Sequence, residues 1–185
     1  MIINNAVDVE KFQYNKELRQ KKREEIGLQD KFIIGHVSGF TPTKNVTYLV
    51  DIINEAKKLD KNMHLLLVGE GEETEPVKEK VKKLHLESYV TMLGRRADVC
   101  ELLQAFDAFV LPSIFEGAPV VAIEAQVAGL MVYLSDSITR EVKLSEKCKY
   151  MSLEKSPKEW AKIVLLQIFQ MQPTVLIQRN KKNNY

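Results

Sequence analysis

The chain is poor in the residues that build cross-links and metal sites. It has only two cysteines, Cys100 and Cys148, far apart and without paired metal-ligand spacing. They suggest no disulfide framework, so a reducing compartment is the default. The three histidines, His36, His64 and His85, form no His-x-x-x-His or His-Cys cluster, and no metal site is expected. Long apolar runs are also missing. No segment reaches the roughly 18 residues of a transmembrane helix, and the start carries no signal-peptide pattern. Nor is there an excess of one charge: Lys plus Arg number 27 against 25 Asp plus Glu. The concentrated positive field that nucleic-acid binding requires is therefore absent. The basic stretches Lys21-Lys22-Arg23 and Lys181-Lys182 are short, and the first runs straight into Glu24-Glu25. It reads as a solvated helix face rather than a membrane-contacting patch. These absences predict a cytoplasmic protein, at most peripheral at the inner face of a membrane, with no nucleic-acid partner.

What is present reads as one globular domain. A composition 45% hydrophobic and 28% charged is ordinary for a packed fold, and a chain of this length buries roughly 70% of its unfolded surface. Short β-branched runs alternate with segments of helical period. Phe32-Ile33-Ile34-Gly35-His36-Val37, Leu65-Leu66-Leu67-Val68, Tyr89 to Leu93, Ala108-Phe109-Val110-Leu111 and Met131 to Leu134 read as strands. Between them, Val46, Leu49, Val50 and Ile53, then Val77, Val81 and Leu84, then Val99, Leu102, Leu103 and Phe106 fall on single helix faces. Pro119 opens a further helix that closes at Gly129. Trp160, Ile163, Val164 and Ile168 mark a late one, with Trp160 and Phe169 as packing residues. Such alternation predicts an α/β, Rossmann-like, mostly parallel sheet with helices on both faces. Ligands of such sheets gather outside the carboxyl ends of the strands. The domain is expected over residues 1–172, with 173–185 a polar, mobile tail. The strand-like Ile2-Ile3-Asn4-Asn5 begins abruptly, which suggests a missing upstream part.

The chemistry concentrates in Phe115-Glu116-Gly117-Ala118-Pro119-Val120-Val121-Ala122-Ile123-Glu124. Glu116 follows a strand, at the edge where ligands gather. Gly117 permits close backbone approach, and the helix starting near Pro119 offers free N–H groups to an anion. Glu124 sits among apolar neighbours, where a carboxylate costs free energy unless something satisfies it. Other candidates are weaker. Gly69-Glu70-Gly71 lacks the third glycine of a dinucleotide fingerprint, Thr74 standing there. His36 reads as a satisfied core histidine, and no Ser-His-Asp or Cys-His signature is present.

The segment resembles the E-x7-E motif of the retaining glycosyltransferases of family four, the glycosyl transferases group 1, with Glu116 and Glu124 as its acidic pair. Other segments match in order: Asn5-Ala6-Val7-Asp8 with Phe12, Leu67-Val68-Gly69-Glu70-Gly71, Leu93-Gly94-Arg95-Arg96 and Pro157-Lys158-Glu159-Trp160. The resemblance implies the C-terminal, donor-binding half of a two-domain GT-B fold. Glu116 would then contact the donor sugar, Glu124 the ribose hydroxyls, and the backbone of Gly117, Ala118, Pro119 and Val120 the diphosphate. The segment with Arg95 and Arg96 would read the base. The donor, a UDP- or GDP-hexose, would be a substrate, with no cofactor and no metal. The acceptor would be held by an N-terminal domain absent from this chain, supplied in cis or in trans.

One departure stands out. Where the family carries Gly-Arg after the first strand and then Lys-Asn, this chain has Ser38-Gly39 and Lys44-Asn45. Lys44 is kept as a cation for the diphosphate; Gly39 replaces the arginine. Losing such a contact costs on the order of 10² to 10³ in rate. Arg95, Arg96 and Arg140 are the candidates to compensate. The alternatives are a non-catalytic nucleotide-sugar-binding or interaction module, or one half of a split enzyme.

Overall fold

The computed structural model describes residues 7–171, with side chains to residue 166. The expected upstream strand, Asn5 and Ala6 of the linker motif, the tail at 173–185 and the side chains of Ile168 and Phe169 lie outside the described residues. Six strands form one sheet: β1 (Phe32–Val37), β2 (Met63–Val68), β3 (Val90–Met92), β4 (Ala108–Leu111), β5 (Met131–Ser135) and β6 (Cys148–Met151). Their order is β3-β2-β1-β4-β5-β6, and every pairing is parallel. Helices α1 (Val9–Phe12) and α2 (Lys16–Glu25) precede β1. Then α3 (Val46–Leu59), α4 (Thr74–Lys83), α5 (Val99–Ala105) and α6 (Val120–Val127) link successive strands, and α7 (Pro157–Met171) follows β6.

The strands are continuous apolar runs because both their faces are covered. Phe32, Ile34, Leu65, Leu67, Val110 and Tyr133 point into one core with α3, α4 and α7. Ile33, Leu66, Phe109, Val132 and Leu134 point into the other with α5 and α6. Trp160 is fully buried against Tyr48, edge to face at 6.0 Å, and its indole N–H donates to the Ser152 carbonyl at 3.1 Å. Ser156 and Glu159 start α7 as a reciprocal cap, the Ser156 N–H donating to Glu159 Oε2 at 2.9 Å.

Three expectations need correction. The basic face of α2 is not solvated: Lys22 and Arg23 are buried. Burial alone would lower the Lys22 ammonium, but Glu101, Glu25 and Asp98 surround it and hold it above its ordinary range. Second, Pro119 is the residue before the first turn of α6 rather than its first helical residue, and Gly129, at φ +78°, lies just past its end. Third, β6 extends the sheet beyond the five strands read from the sequence. Its Cys148-Lys149-Tyr150-Met151 lies at an edge and is buried only at its two ends, so it lacks the apolar run that marks the others.

Candidate functional site

The strand order reverses between β1 and β4, the position at which open α/β sheets hold ligands in a crevice beyond the carboxyl ends of their strands. The loop after β1 is seated on the turn after β2. Ser38 N–H donates to the Val68 carbonyl at 3.1 Å, and Phe40 N–H to the Glu70 carbonyl at 3.0 Å. Gly69 has φ +129°, and a Cβ there would stand 1.8 Å from the Ser38 carbonyl oxygen. Only glycine lets the two backbones come this close. The Gly69-Glu70-Gly71 turn is thus a seat for residues 38–40.

The same loop then reaches across to β4. Asn45, in the left-handed region at φ 54°, donates its amide to the Pro112 carbonyl at 3.2 Å. Ile114 N–H donates to the Thr43 carbonyl at 2.8 Å. From the other side, Glu116 forms a parallel bridge with Ile138, and the hydroxyls of Ser135 and Ser137 donate to the Ser113 carbonyl. Clamped between these loops, Glu116 accepts an ion-paired hydrogen bond from the Lys44 ammonium. The two site residues read from the sequence therefore meet across the switch point.

Helix α6 starts beside this pair. No side chain caps it, and Pro119 at its N-cap leaves the first N–H groups toward the crevice without a side-chain acceptor. Gly117 and Ala118 are exposed, while Pro119 and Val120 are half-buried. A Cβ on Gly117 would meet nothing within 4 Å, so the expected close approach is to open space, not to protein. Glu124 lies one turn further along, half-buried, with no hydrogen bond or ion pair among the described residues. Burial raises its carboxyl pKa, against a smaller opposing pull from Lys11. Lys11 sits on α1, whose Asp8 caps it and whose Phe12 packs into the α5–α6 core. This gives the described part of the linker motif a physical role beside Glu124.

The candidate arginines are engaged elsewhere. Arg96 makes a two-pronged contact with Asp98, at 2.8 and 2.7 Å, and reaches Glu25 at 3.5 Å. Arg140 stacks 3.7 Å over the Tyr150 ring. Arg95 is exposed and pairs with Glu70 at 3.2 Å, beside the β1 loop. A Cβ on Gly39 would meet nothing within 4 Å, so the protein leaves room there for a side chain to start. His36 is the satisfied core histidine expected from sequence, bonded through both ring nitrogens. Sequence reading missed the clamp made by Asn45, Ser135 and Ser137, because contacts between loops of neighbouring strands have no local signature.

The family described as glycosyl transferases group 1 matches residues 18–169. EpsF of Bacillus subtilis (strain 168), which bears the name of a glycosyltransferase, is 36% identical over 142 residues, 76% of this chain and 37% of its own length. The UDP-Gal:alpha-D-GlcNAc-diphosphoundecaprenol alpha-1,3-galactosyltransferase of Escherichia coli is 32% identical over 142 residues, 73% of this chain and 36% of its own length. Among solved structures, HepE of Anabaena in complex with UDP and glucose superposes with a TM-score of 0.82 at 26% identity, covering 95% of this chain and 49% of that one. The chain thus spans less than half the length of these relatives.

Proposed function

The chain belongs to the glycosyl transferases group 1 family, and from that premise we propose that it is the donor-binding half of a GT-B glycosyltransferase. The full enzyme would move a hexose from a nucleoside diphosphate sugar, with retention, in the synthesis of a cell-surface polysaccharide or glycan. The observation that carries this reading is the Lys44–Glu116 pair across the switch point, beside the uncapped start of α6. On this reading the diphosphate lies at the α6 N-terminus, where N–H groups and the helix dipole favour an anion. Lys44 moves from Glu116 to the leaving diphosphate as the bond to the sugar breaks and negative charge builds there. Glu116, released, accepts from sugar hydroxyls, and Glu124 accepts from the ribose. The acceptor oxygen attacks the sugar, and its proton passes to the departing phosphate. Uridine as the base is supported by the E. coli relative's name and by the UDP held by the Anabaena structure. The acceptor is held by an N-terminal half, supplied in cis or in trans, and the 185-residue chain alone transfers sugar poorly or not at all.

A second reading, a binding module without catalysis, is favoured by one observation, the glycine at position 39 where the family carries arginine. Calorimetric titration with UDP, GDP, ADP and their sugars, with Glu124→Ala as control, tests the donor site. Saturable binding of one nucleotide, weakened in the variant, supports it; no binding by the folded chain contradicts it. Supplying the N-terminal half then separates the two readings, since a binding module gives no turnover.

A further inference from the structure

His36 and Ser38 stand two residues apart at the carboxyl end of β1, so their side chains share one side of the strand. His36 is fully buried and close enough to Lys44 to feel its charge. Its Nδ1 lies 2.9 Å from the Val110 carbonyl and its Nε2 lies 2.7 Å from Ser38 Oγ. A carbonyl oxygen can only accept, so the ring proton sits on Nδ1. Burial keeps the ring neutral, with its pKa lowered to about 4. Nε2 is therefore bare and accepts from the Ser38 hydroxyl. The backbone of Ser38 is held as firmly, between the Val68 carbonyl and Gly69.

A serine whose one proton is committed inward offers only lone pairs to its other side. Ser38 is half-buried rather than sealed, and the adjoining Gly39 is exposed, with open space beyond it. A phosphate oxygen, itself only an acceptor, gains nothing from such a group, whereas a sugar hydroxyl can donate to it. The N–H groups of α6 offer the opposite polarity.

Resting on the nucleotide-sugar reading of the crevice, we propose that Ser38 Oγ is a specificity-determining contact: an acceptor-only group that receives a hydrogen bond from a hydroxyl of the donor's sugar, with His36 as the positioning residue that fixes its polarity. The two parts of the donor are then sorted by hydrogen-bond sense, phosphates to the helix start and sugar to the end of β1.

The test is calorimetric titration of the full chain with UDP and with UDP-glucose, in the parent protein, Ser38→Ala and Ser38→Gly, with melting curves to confirm folding. Both variants are expected to lose about five-fold in UDP-glucose affinity, the worth of one neutral hydrogen bond, while UDP affinity stays unchanged. Equal losses for both ligands, or an unchanged UDP-glucose affinity, overturn the assignment of Ser38. If the parent chain binds neither UDP nor UDP-glucose, it is uridine donor binding that fails, and Ser38 falls with it. His36→Phe frees the Ser38 proton and is expected to shift preference from UDP-glucose toward UDP. A purely structural role for His36 would weaken both ligands together.

Discussion

At the amino edge of the sheet, Asp107 accepts from Arg19 at 2.6 Å, Arg23 at 3.1 Å and the Ile33 N–H at 2.7 Å, while Arg19 and Arg23 also donate to carbonyls at 104, 105 and 106. At the carboxyl edge, Glu124 has no partner among the described residues, and the buried Ser113 hydroxyl has none either. The Lys44–Glu116 pair stands at this edge too. Around Asp107 the polar groups are satisfied internally, and charge binds α2 to α5 and β4; elsewhere at the amino ends two buried atoms, His64 Nδ1 and Ser145 Oγ, have no hydrogen-bond partner among the described residues. On the donor-site reading, the unpaired Glu124 and the uncapped start of α6 await a ligand, which costs stability in its absence. The difference teaches where to look for function in a sheet buried on both faces: at the edge where an unpaired carboxylate and an uncapped helix start stand together.

Breaking the amino edge should have the largest effect. Asp107→Ala leaves Arg23 buried without its carboxylate and is expected to cost about 3–5 kcal/mol in urea unfolding, with ligand affinity unchanged in the protein that remains folded. Acid comes next. His36 and His64 are buried and neutral, each with its pKa lowered to about 4 by burial. The unfolded chain takes up those protons near the ordinary histidine value of about 6.5, so stability present above that value is lost as pH falls toward about 4. Unfolding at pH 4.5 against pH 7 should show a loss of about 2 kcal/mol per histidine. A flat profile would mean that these rings are solvated.

At the carboxyl edge the expectation inverts, with small effects on stability and larger ones on binding. Lys44→Ala should change stability by no more than about 1 kcal/mol yet weaken binding of a nucleoside diphosphate about ten-fold. The smallest change in stability is expected of Glu124→Gln. Because burial raises the folded carboxyl pKa, its charge opposes folding at neutral pH, and that cost vanishes as pH falls through the raised value. The amide should raise the melting temperature by up to about 2 °C at pH 7, by less in acid, and weaken ligand binding.

Much of this division was legible in the residues. Strands such as Leu65-Leu66-Leu67-Val68 announce themselves because a strand covered on both faces has no polar side to show. The spacing of Glu116 and Glu124, with Lys44 after the first strand, marked the carboxyl edge. The true setting of α2 did not show, since Arg19, Lys22 and Arg23 are held by Asp107, Asp98 and Glu101 from distant segments. Nothing local distinguishes such residues from a solvated charge run. The Ser135 and Ser137 contacts to Ser113 likewise depend on β4 and β5 lying side by side. The inward commitment of the Ser38 proton needed the position of the Val110 carbonyl.

The most direct test is an amide chemical-shift titration of the chain with UDP. The donor-site reading predicts shifts confined to residues 38–45, 113–124, the turn at 69–71 and the base-reading segment at 93–96, with Arg19, Arg23 and Asp107 unmoved. Shifts centred on α2 and the amino ends of the strands, or saturable binding that leaves 38–45 and 117–121 unchanged, would contradict it.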